Sequence, residues 1–442
     1  MTVDRVTTTT AAGGAGGAAS RRTLLRATGT AALLAAAKAA LPNGAFAQAA
    51  GPETTKAVLG YIALTDASPL VVAKEKGLFA KHGLPDVEVA KQASWGALRD
   101  NLALGSASNG IDGAHILTPL PYLMTAGKVT QNHVPVPVQI LLRLNLDAQG
   151  ISVSNEFKDA GAQLDSGKLK AAFADKKASG KGVKAAMTFP GGTHDLWLRY
   201  WLAAGGIDPD RDVETIVVPP PQMVANMKVR TMDVFCVGEP WNDQLVHQDV
   251  GYTACNTAEI WNRHPEKSLG VKAEWVDANP RAAKALTMAV MEAQEWCDDP
   301  LNKEEMCKLV SKRAWFNVPV PDILPRVKGE YDYGDGRSVS DSPHLMKFWR
   351  DHASYPFQSH DLWFLYENMR WGKIEPGLDA KGMIAKVNRE DLWREAAKEL
   401  GVRARDIPAS TSRGVERFFD GKEFDPANPD AYLAALDIKR VA

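Results

Sequence analysis

From residue 56 onward, short apolar runs alternate with longer stretches in which apolar residues return every three or four positions, the pattern of strands exchanged with helices. Residues 58–62 and 87–89 read as strands, separated by a helix within 66–79 that Ser68 caps and Pro69 opens. Ser94 caps a helix over 95–104 that stops near Gly105. Residues 111–114 are strand-like, 119–126 a short helix, and 136–144 a strand alternating enough to be half buried. The pattern pauses at 146–153, and a polar, lysine-rich stretch follows over 155–181. Strands return at 185–189, 215–218 and 233–237, with a short helix at 222–229. Asn279 and Pro280 open a long helix through Trp296, and the remainder is helical and rich in loops. This alternation predicts an α/β protein of mostly parallel sheet with helices on both faces, in which residues 151–250 form a second, smaller unit inserted into the first.

The stretch 184–206 carries the first chemical signal. Its strand ends in the turn Pro190, Gly191 and Gly192; Thr193 can cap a helix running from His194 to the stop at Gly205 and Gly206. Leu196, Trp197, Tyr200, Trp201 and Leu202 make one apolar stripe on it. A strand, a glycine turn and a helix N-terminus present free N–H groups and a positive dipole end, which suit an anion, and His194 adds a donor there. An ordinary strand–helix unit with a surface histidine has the same pattern.

Composition narrows the setting. A chain of 442 residues has room for two or three cores, and no run of about 20 apolar residues is present to span a membrane. Residues 1–19 are low-complexity Thr, Ala and Gly; Arg21 and Arg22 then precede a mildly apolar segment and the small-residue site Ala45, Phe46, Ala47. This predicts a twin-arginine export signal over 1–47 and a mature protein free in the periplasm, with no direct membrane anchor, since no cysteine follows the segment. Losing 1–47 removes five basic residues and one acid, so the formal charge moves from −1 to −5. A mildly acidic chain without a basic run is a poor partner for nucleic acid, and any anion it binds must be held locally. Cys236, Cys255, Cys297 and Cys307 lack metal-ligand spacing; a Cys297–Cys307 disulfide and buried free thiols are both open. His344, His352 and His360 recur every eight residues, a spacing that drifts about 80° per step around a helix, so no metal is expected there.

Several motifs occur together and in order: 60–70, 91–96, 110–119, 187–194, 217–226, 237–241, 264–267 and 412–414. They resemble the nitrate/bicarbonate-binding proteins of ABC importers, across essentially all of 56–440. The resemblance implies a two-lobed periplasmic-binding-protein fold of type II with a helical C-terminal wrap. Residues 54–150 would form the first part of lobe 1, 151–250 lobe 2, and 251–442 the return to lobe 1 and the wrap. It also implies an oxyanion site between the lobes made by Trp95, Gln149, His194 and Lys267, with Pro220, Val237, Gly238 and Glu239 lining its wall. The partners it implies are the permease and ATPase subunits of an importer. No cofactor is implied.

The residue chemistry agrees with a planar, monovalent, weakly basic anion. Indole, amide and imidazole offer neutral N–H donors, while Lys267 supplies a charge-assisted bond and one cation for one anion, an arrangement neutral overall. The carboxylate of Glu239 accepts only, so its expected role is to orient a donor or line the wall. In the resembling family, bicarbonate binders carry an acid where Lys267 stands and recruit calcium. Lysine therefore points to nitrate, with nitrite as well; the neighbouring Glu266 keeps calcium-dependent bicarbonate binding as the alternative, since a one-residue shift would put an acid in the pocket. An enzyme is the rival class, because Thr193, His194 and Asp195 resemble acid–base machinery, although no nucleophile elbow, phosphate loop or zinc motif accompanies them. A cytosolic sensor would lack the export segment.

Overall fold

A computed structural model describes residues 51–440; the export signal read at 1–47 lies outside them. Among the described residues, ten strands build two five-stranded sheets. In order across the first sheet lie β2 (Asp86–Lys91), β1 (Lys56–Tyr61), β3 (Gly113–Leu117), β10 (Lys267–Lys272) and β4 (Val138–Arg143). Across the second lie β7 (Glu214–Val217), β6 (Lys184–Met187), β8 (Val234–Gly238), β5 (Gln149–Ser154) and β9 (Gly251–Asn256).

Each sheet is mostly parallel, as the alternation predicts, but each contains one reversed strand. β10 runs antiparallel to β3 and β4, and β5 antiparallel to β8 and β9. These are the strands with which the chain enters the second sheet and returns to the first. The pause read at 146–153 is thus β5, whose sequence QGISVS is too short and too mixed to show a period. Residues 136–144 were expected to be half buried; β4 is buried throughout, because helices cover both of its faces.

The two crossings lie side by side. Leu144 N–H bonds Lys267 O at 2.7 Å, and Asp147 N–H bonds His264 O at 3.0 Å. Leu146 and Lys347 exchange backbone bonds of 2.9 and 3.2 Å on the other side. Asp147 and Ala148 both have positive φ (64° and 60°), a region that side chains disfavour. Asp147 is held there by accepting from His264 N–H at 3.0 Å and from Lys347 Nζ at 2.7 Å. This fixed kink sets the direction of the next side chain, Gln149.

Helix Thr193–Ala204 is buried from Thr193 to Ala203, more than the single stripe predicted. The reason is the C-terminal wrap. Helix Gln358–Arg370 covers its far side, with Trp363 stacked on Trp197 at 5.0 Å and Asn368 donating to Gly191 O at 3.2 Å. The wrap also reaches the first sheet: Gln294, in helix Pro280–Asp298, donates to the carbonyls of Arg143 and Leu144 at 2.7 and 2.9 Å. All four cysteines are buried free thiols.

Candidate functional site

Four residues from distant parts of the chain converge between the sheets. Trp95 opens helix Trp95–Leu104, whose cap is Ser94 Oγ accepting from Ala97 N–H at 3.1 Å. Gln149 begins β5, His194 is the second residue of its helix, and Lys267 begins β10. Strand ends and helix starts meet here because the reversed strands β5 and β10 begin, and the helices after β2 and β6 start, at the C-terminal ends of the parallel strands. Lys267 Nζ lies 3.3 Å from Gln149 Oε1, 3.4 Å from His194 Nε2 and 5.9 Å from the centre of a Trp95 ring. His194 Nε2 lies 2.8 Å from Gln149 Oε1. None of the four is exposed at all.

The hydrogen bonds fix the chemistry of each group. The Gln149 amide NH₂ donates to Asp66 Oδ2 at 3.3 Å and Asp147 O at 3.4 Å, so its oxygen must face Lys267 and His194. His194 therefore carries its proton on Nε2, and its Nδ1 accepts from the Thr188 hydroxyl at 2.6 Å. Burial, reinforced by Lys267, holds His194 well below its ordinary pKa, so the ring is neutral. The Trp95 indole N–H has no acceptor although it is buried, and the buried Thr65 hydroxyl has no partner either. A buried donor left unbonded costs about 1–3 kcal/mol, so such a group beside this cluster marks a place for an acceptor.

Two carboxylates absent from the sequence-derived site touch the lysine. Asp66 Oδ2 lies 2.9 Å and Glu266 Oε1 2.7 Å from Lys267 Nζ, all without exposure. Burial works to raise Asp66, yet Lys267 and His115 hold it well below the carboxylate range. Its other oxygen accepts from His115 Nε2 at 2.6 Å, and the His115 ring packs 5.3 Å from Trp95. Burial pushes Glu266 up against the pull of Lys267. Its three partners all donate: Lys267, the Thr193 hydroxyl, and Trp197 Nε1 at 2.8 Å. Burial also acts to discharge Lys267, but Asp66 and Glu266 raise it above its ordinary value, so it stays charged.

These contacts correct four expectations. The Gln149 amide does not offer its N–H to the seat, because its NH₂ is bonded to Asp66 and Asp147 and its oxygen faces Lys267 and His194. One cation facing one incoming anion is not the arrangement, because Lys267 already has two carboxylate partners. Thr193 does not cap its helix; Gly192 holds that position, and Asp195 Oδ2 accepts from Gly191 N–H at 2.7 Å while the Thr193 hydroxyl is spent on Glu266. The Asp195 carboxylate turns to Arg199 at 2.7 Å, so it makes no acid–base pair with His194.

The expected wall divides. Gly238 pairs with Gln149, and a Cβ there would stand 2.6 Å from Gln149 Oε1 and 3.4 Å from Asp66 Oδ2, so the backbone itself forms the surface. Val237 pairs with Gly150 and its carbonyl accepts from Asn242 at 2.9 Å. The Glu239 carboxylate faces away, bound to Arg326 at 2.6 Å and Asp243 N–H at 3.2 Å. Its backbone carbonyl accepts Thr65 N–H at 2.8 Å, which joins the loops of the two sheets. Pro220 is buried at the turn after edge strand β7 and takes no part in the polar contacts of the cluster. A surface cavity of about 690 Å³ lies elsewhere, among Trp349, Arg350, Trp393 and Arg413, and contains none of these residues. Among the described residues, no group of His, Cys, Asp and Glu is arranged to hold a metal ion.

Sequence reasoning missed Asp66 and His115 as contacts, and raised Glu266 only through a one-residue shift, whereas it reaches the cluster beside Lys267. The first two stand inside buried apolar runs, 61–73 and 113–117, where a polar residue survives only with a partner. That was the available signal.

The chain is 59% identical over 390 residues to the nitrate/nitrite binding protein NrtA of Synechococcus elongatus, which covers 88% of each. It is 45% identical over 391 residues to the bicarbonate-binding protein CmpA of the same organism, covering 86% of each. The crystal structure of the periplasmic nitrate-binding protein NrtA from Synechocystis PCC 6803 superposes with a TM-score of 0.86 at 60% identity, covering 88% of this chain and 100% of that one. A family model matches residues 50–311. The chain belongs to the NMT1-like family.

Proposed function

We propose that this protein is the periplasmic solute-binding component of an ABC importer, and that it holds nitrate, with nitrite as a second ligand, between its two lobes. The observation that carries the reading is the buried, acceptorless Trp95 indole N–H beside the Lys267 ammonium and the His194 and Gln149 side chains. An anion there meets the Lys267 ammonium, already paired with Asp66 and Glu266, and the N–H groups of Trp95 and His194 among side chains without exposure, where each bond is stronger than in solvent. Nitrate is flat and weakly basic, so it needs several modest donors rather than a metal. The relatives with the higher identity are named for nitrate, and lysine at 267 supplies the cation that a calcium-dependent site would take from solution.

Delivery to permease and ATPase subunits follows from the same reading, as does export by the twin-arginine route, which rests on Arg21, Arg22 and the small-residue site at 45–47. An enzyme is disfavoured by the geometry: Asp195 is committed to Arg199 and makes no acid–base pair with His194.

A thermal-shift series tests the reading. Because ligand binds the folded state only, nitrate at 100 times its Kd adds about 2.7 kcal/mol of stability. Nitrate and nitrite should raise Tm in chelator-treated protein, while bicarbonate and sulfate leave it unchanged. A shift with bicarbonate that requires calcium would assign the site to the alternative.

A further inference from the structure

The charges around Lys267 do not balance once an anion arrives, and the consequence rests on the reading of this site as an anion seat. We propose that His194 takes up a proton when nitrate binds, so that the anion enters with a proton as its co-ligand. Without ligand, the cluster holds one ammonium, Lys267, against two carboxylates, Asp66 and Glu266, in contact with it. His115 and His194 are both held below their ordinary pKa, His115 chiefly by burial, and add no charge. A monovalent anion would leave a second uncompensated negative charge in an enclosure with no exposed atom, which is strongly disfavoured.

Every charged or titratable group facing His194 can be examined in turn. Asp66 comes from the loop after β1, His115 from β3, and His264, Glu266 and Lys267 from the crossing into β10. Asp195, its neighbour in the helix, is occupied by Arg199 and Gly191 N–H. A second proton on His115 would oppose Ile62 N–H, which points at its Nδ1 from 3.5 Å. His264 Nε2 is bonded to the Thr257 hydroxyl and its Nδ1 to Pro265 O; Nδ1 also lies 3.7 Å from Glu266 Oε2, but the ring has no hydrogen bond to the Lys267, Gln149 or His194 side chains. Glu266 receives from Lys267, Thr193 and Trp197; a protonated Glu266 could donate only to the Thr193 hydroxyl and would give up its charge-assisted bond from Lys267.

His194 accepts a proton without losing a bond and at the same time presents an N–H to the cluster. Its Nδ1 faces the Thr188 hydroxyl at 2.6 Å, and that hydroxyl can rotate from donor to acceptor. Its Nε2–H already points into the cluster, 3.4 Å from Lys267 Nζ. In the unliganded protein that proximity disfavours an imidazolium; an anion between the two groups favours it. The proton comes from solvent and stays on Nδ1, while Nε2–H shares its bond between Gln149 Oε1 and the anion. No covalent bond in nitrate is made or broken.

Because the bound state holds more protons, affinity falls as pH rises, by up to about tenfold per pH unit between the free and bound pKa values of the ring. Calorimetric titration of nitrate into the wild-type mature protein, in buffers of small and large ionisation enthalpy from about pH 5.5 to 8.5, counts the protons, since nitrate does not titrate there. Uptake approaching one proton per nitrate is expected at the acid end. Equal heats in both buffers throughout would overturn the proposal. His194→Gln, which keeps a donor but cannot charge, should bind more weakly with no uptake; uptake that persists in it would place the proton elsewhere and overturn the assignment. Should that variant not fold, ¹⁵N spectra of the wild-type imidazoles decide: both His194 nitrogens protonated with nitrate supports the proposal, one bare nitrogen refutes it. No heat with nitrate in any buffer is a different result, which removes the anion-seat reading itself.

Discussion

Lys267 Nζ lies 2.9 Å from Asp66 Oδ2, with neither side chain exposed, and the two come from opposite ends of the first sheet's sequence. Asp66 sits on the loop after β1, and Lys267 begins the strand that re-enters the sheet from the other side. Their pairing keeps the ammonium charged before any ligand arrives, and keeps it beside Gln149 and His194 of the second sheet. The cation of the site is thus preorganised, and its own partners set the charge it can offer.

Removing the ammonium leaves Asp66 and Glu266 buried without a cation. Lys267→Met should abolish nitrate binding and lower stability by about 3–5 kcal/mol, the cost of breaking one side of a buried pair. Adding Asp66→Asn should restore part of the stability and none of the binding. Urea denaturation of the two variants checks this, and an unchanged midpoint in the single variant would show the carboxylates to be satisfied without the lysine.

Trp95 separates binding from folding. Its ring packs against His115 at 5.3 Å, but its N–H bonds nothing in the protein. Trp95→Phe keeps most of the packing and removes the donor. Stability should stay within about 1 kcal/mol, while nitrate affinity falls roughly ten- to a hundredfold, the worth of a hydrogen bond to a charged group. Paired calorimetry and melting curves test it; equal losses in both would make the tryptophan a packing residue only.

Gly238 is held to glycine by its neighbours rather than by its backbone angles. A methyl there would meet Gln149 Oε1 at 2.6 Å and Leu64 Cδ2 at 3.2 Å. Gly238→Ala should therefore displace the amide that orients His194, weakening nitrate binding by more than tenfold at a stability cost of about 1–3 kcal/mol. A titration of the variant measures the first effect, and an unaltered Kd would put this backbone outside the seat.

Asp243 gives a pH signature. It is buried beside Arg326 Nε at 3.1 Å, but its Oδ2 has no partner, and burial raises its pKa to about 6. The folded state thus holds this proton more tightly than the unfolded chain, whose aspartate titrates near its ordinary 3.8. Its contribution to stability is therefore lost as pH climbs from about 4 to about 6. In Asp243→Asn that decline should be smaller than in the wild type. Denaturation at several pH values across this window gives the difference, and parallel curves would contradict the assignment.

The parts legible in the sequence were those with local rules. Ser94 caps its helix because a hydroxyl in extended conformation reaches the first-turn N–H groups, and Gly105 stops the same helix with φ 78°. Trp95, Gln149, His194 and Lys267 come together between the sheets. β5 and β10 left no such mark, since each has six residues, is buried almost throughout, and gains its place only from strands distant in sequence. The role of Asp66 was hidden for the same reason: a carboxylate in an apolar loop announces that it has a partner, but not which one. Ser68 illustrates the converse, a good capping residue whose hydroxyl instead donates to Thr65 O at 2.6 Å, because a short 3-10 turn over Thr65–Ala67 precedes its helix.

The most direct test of the account is calorimetric titration of the chelator-treated mature protein with nitrate. One nitrate per chain, bound at micromolar or tighter Kd with no metal added, is the predicted result. Silence with nitrate, and heat with bicarbonate only after calcium is supplied, would contradict it.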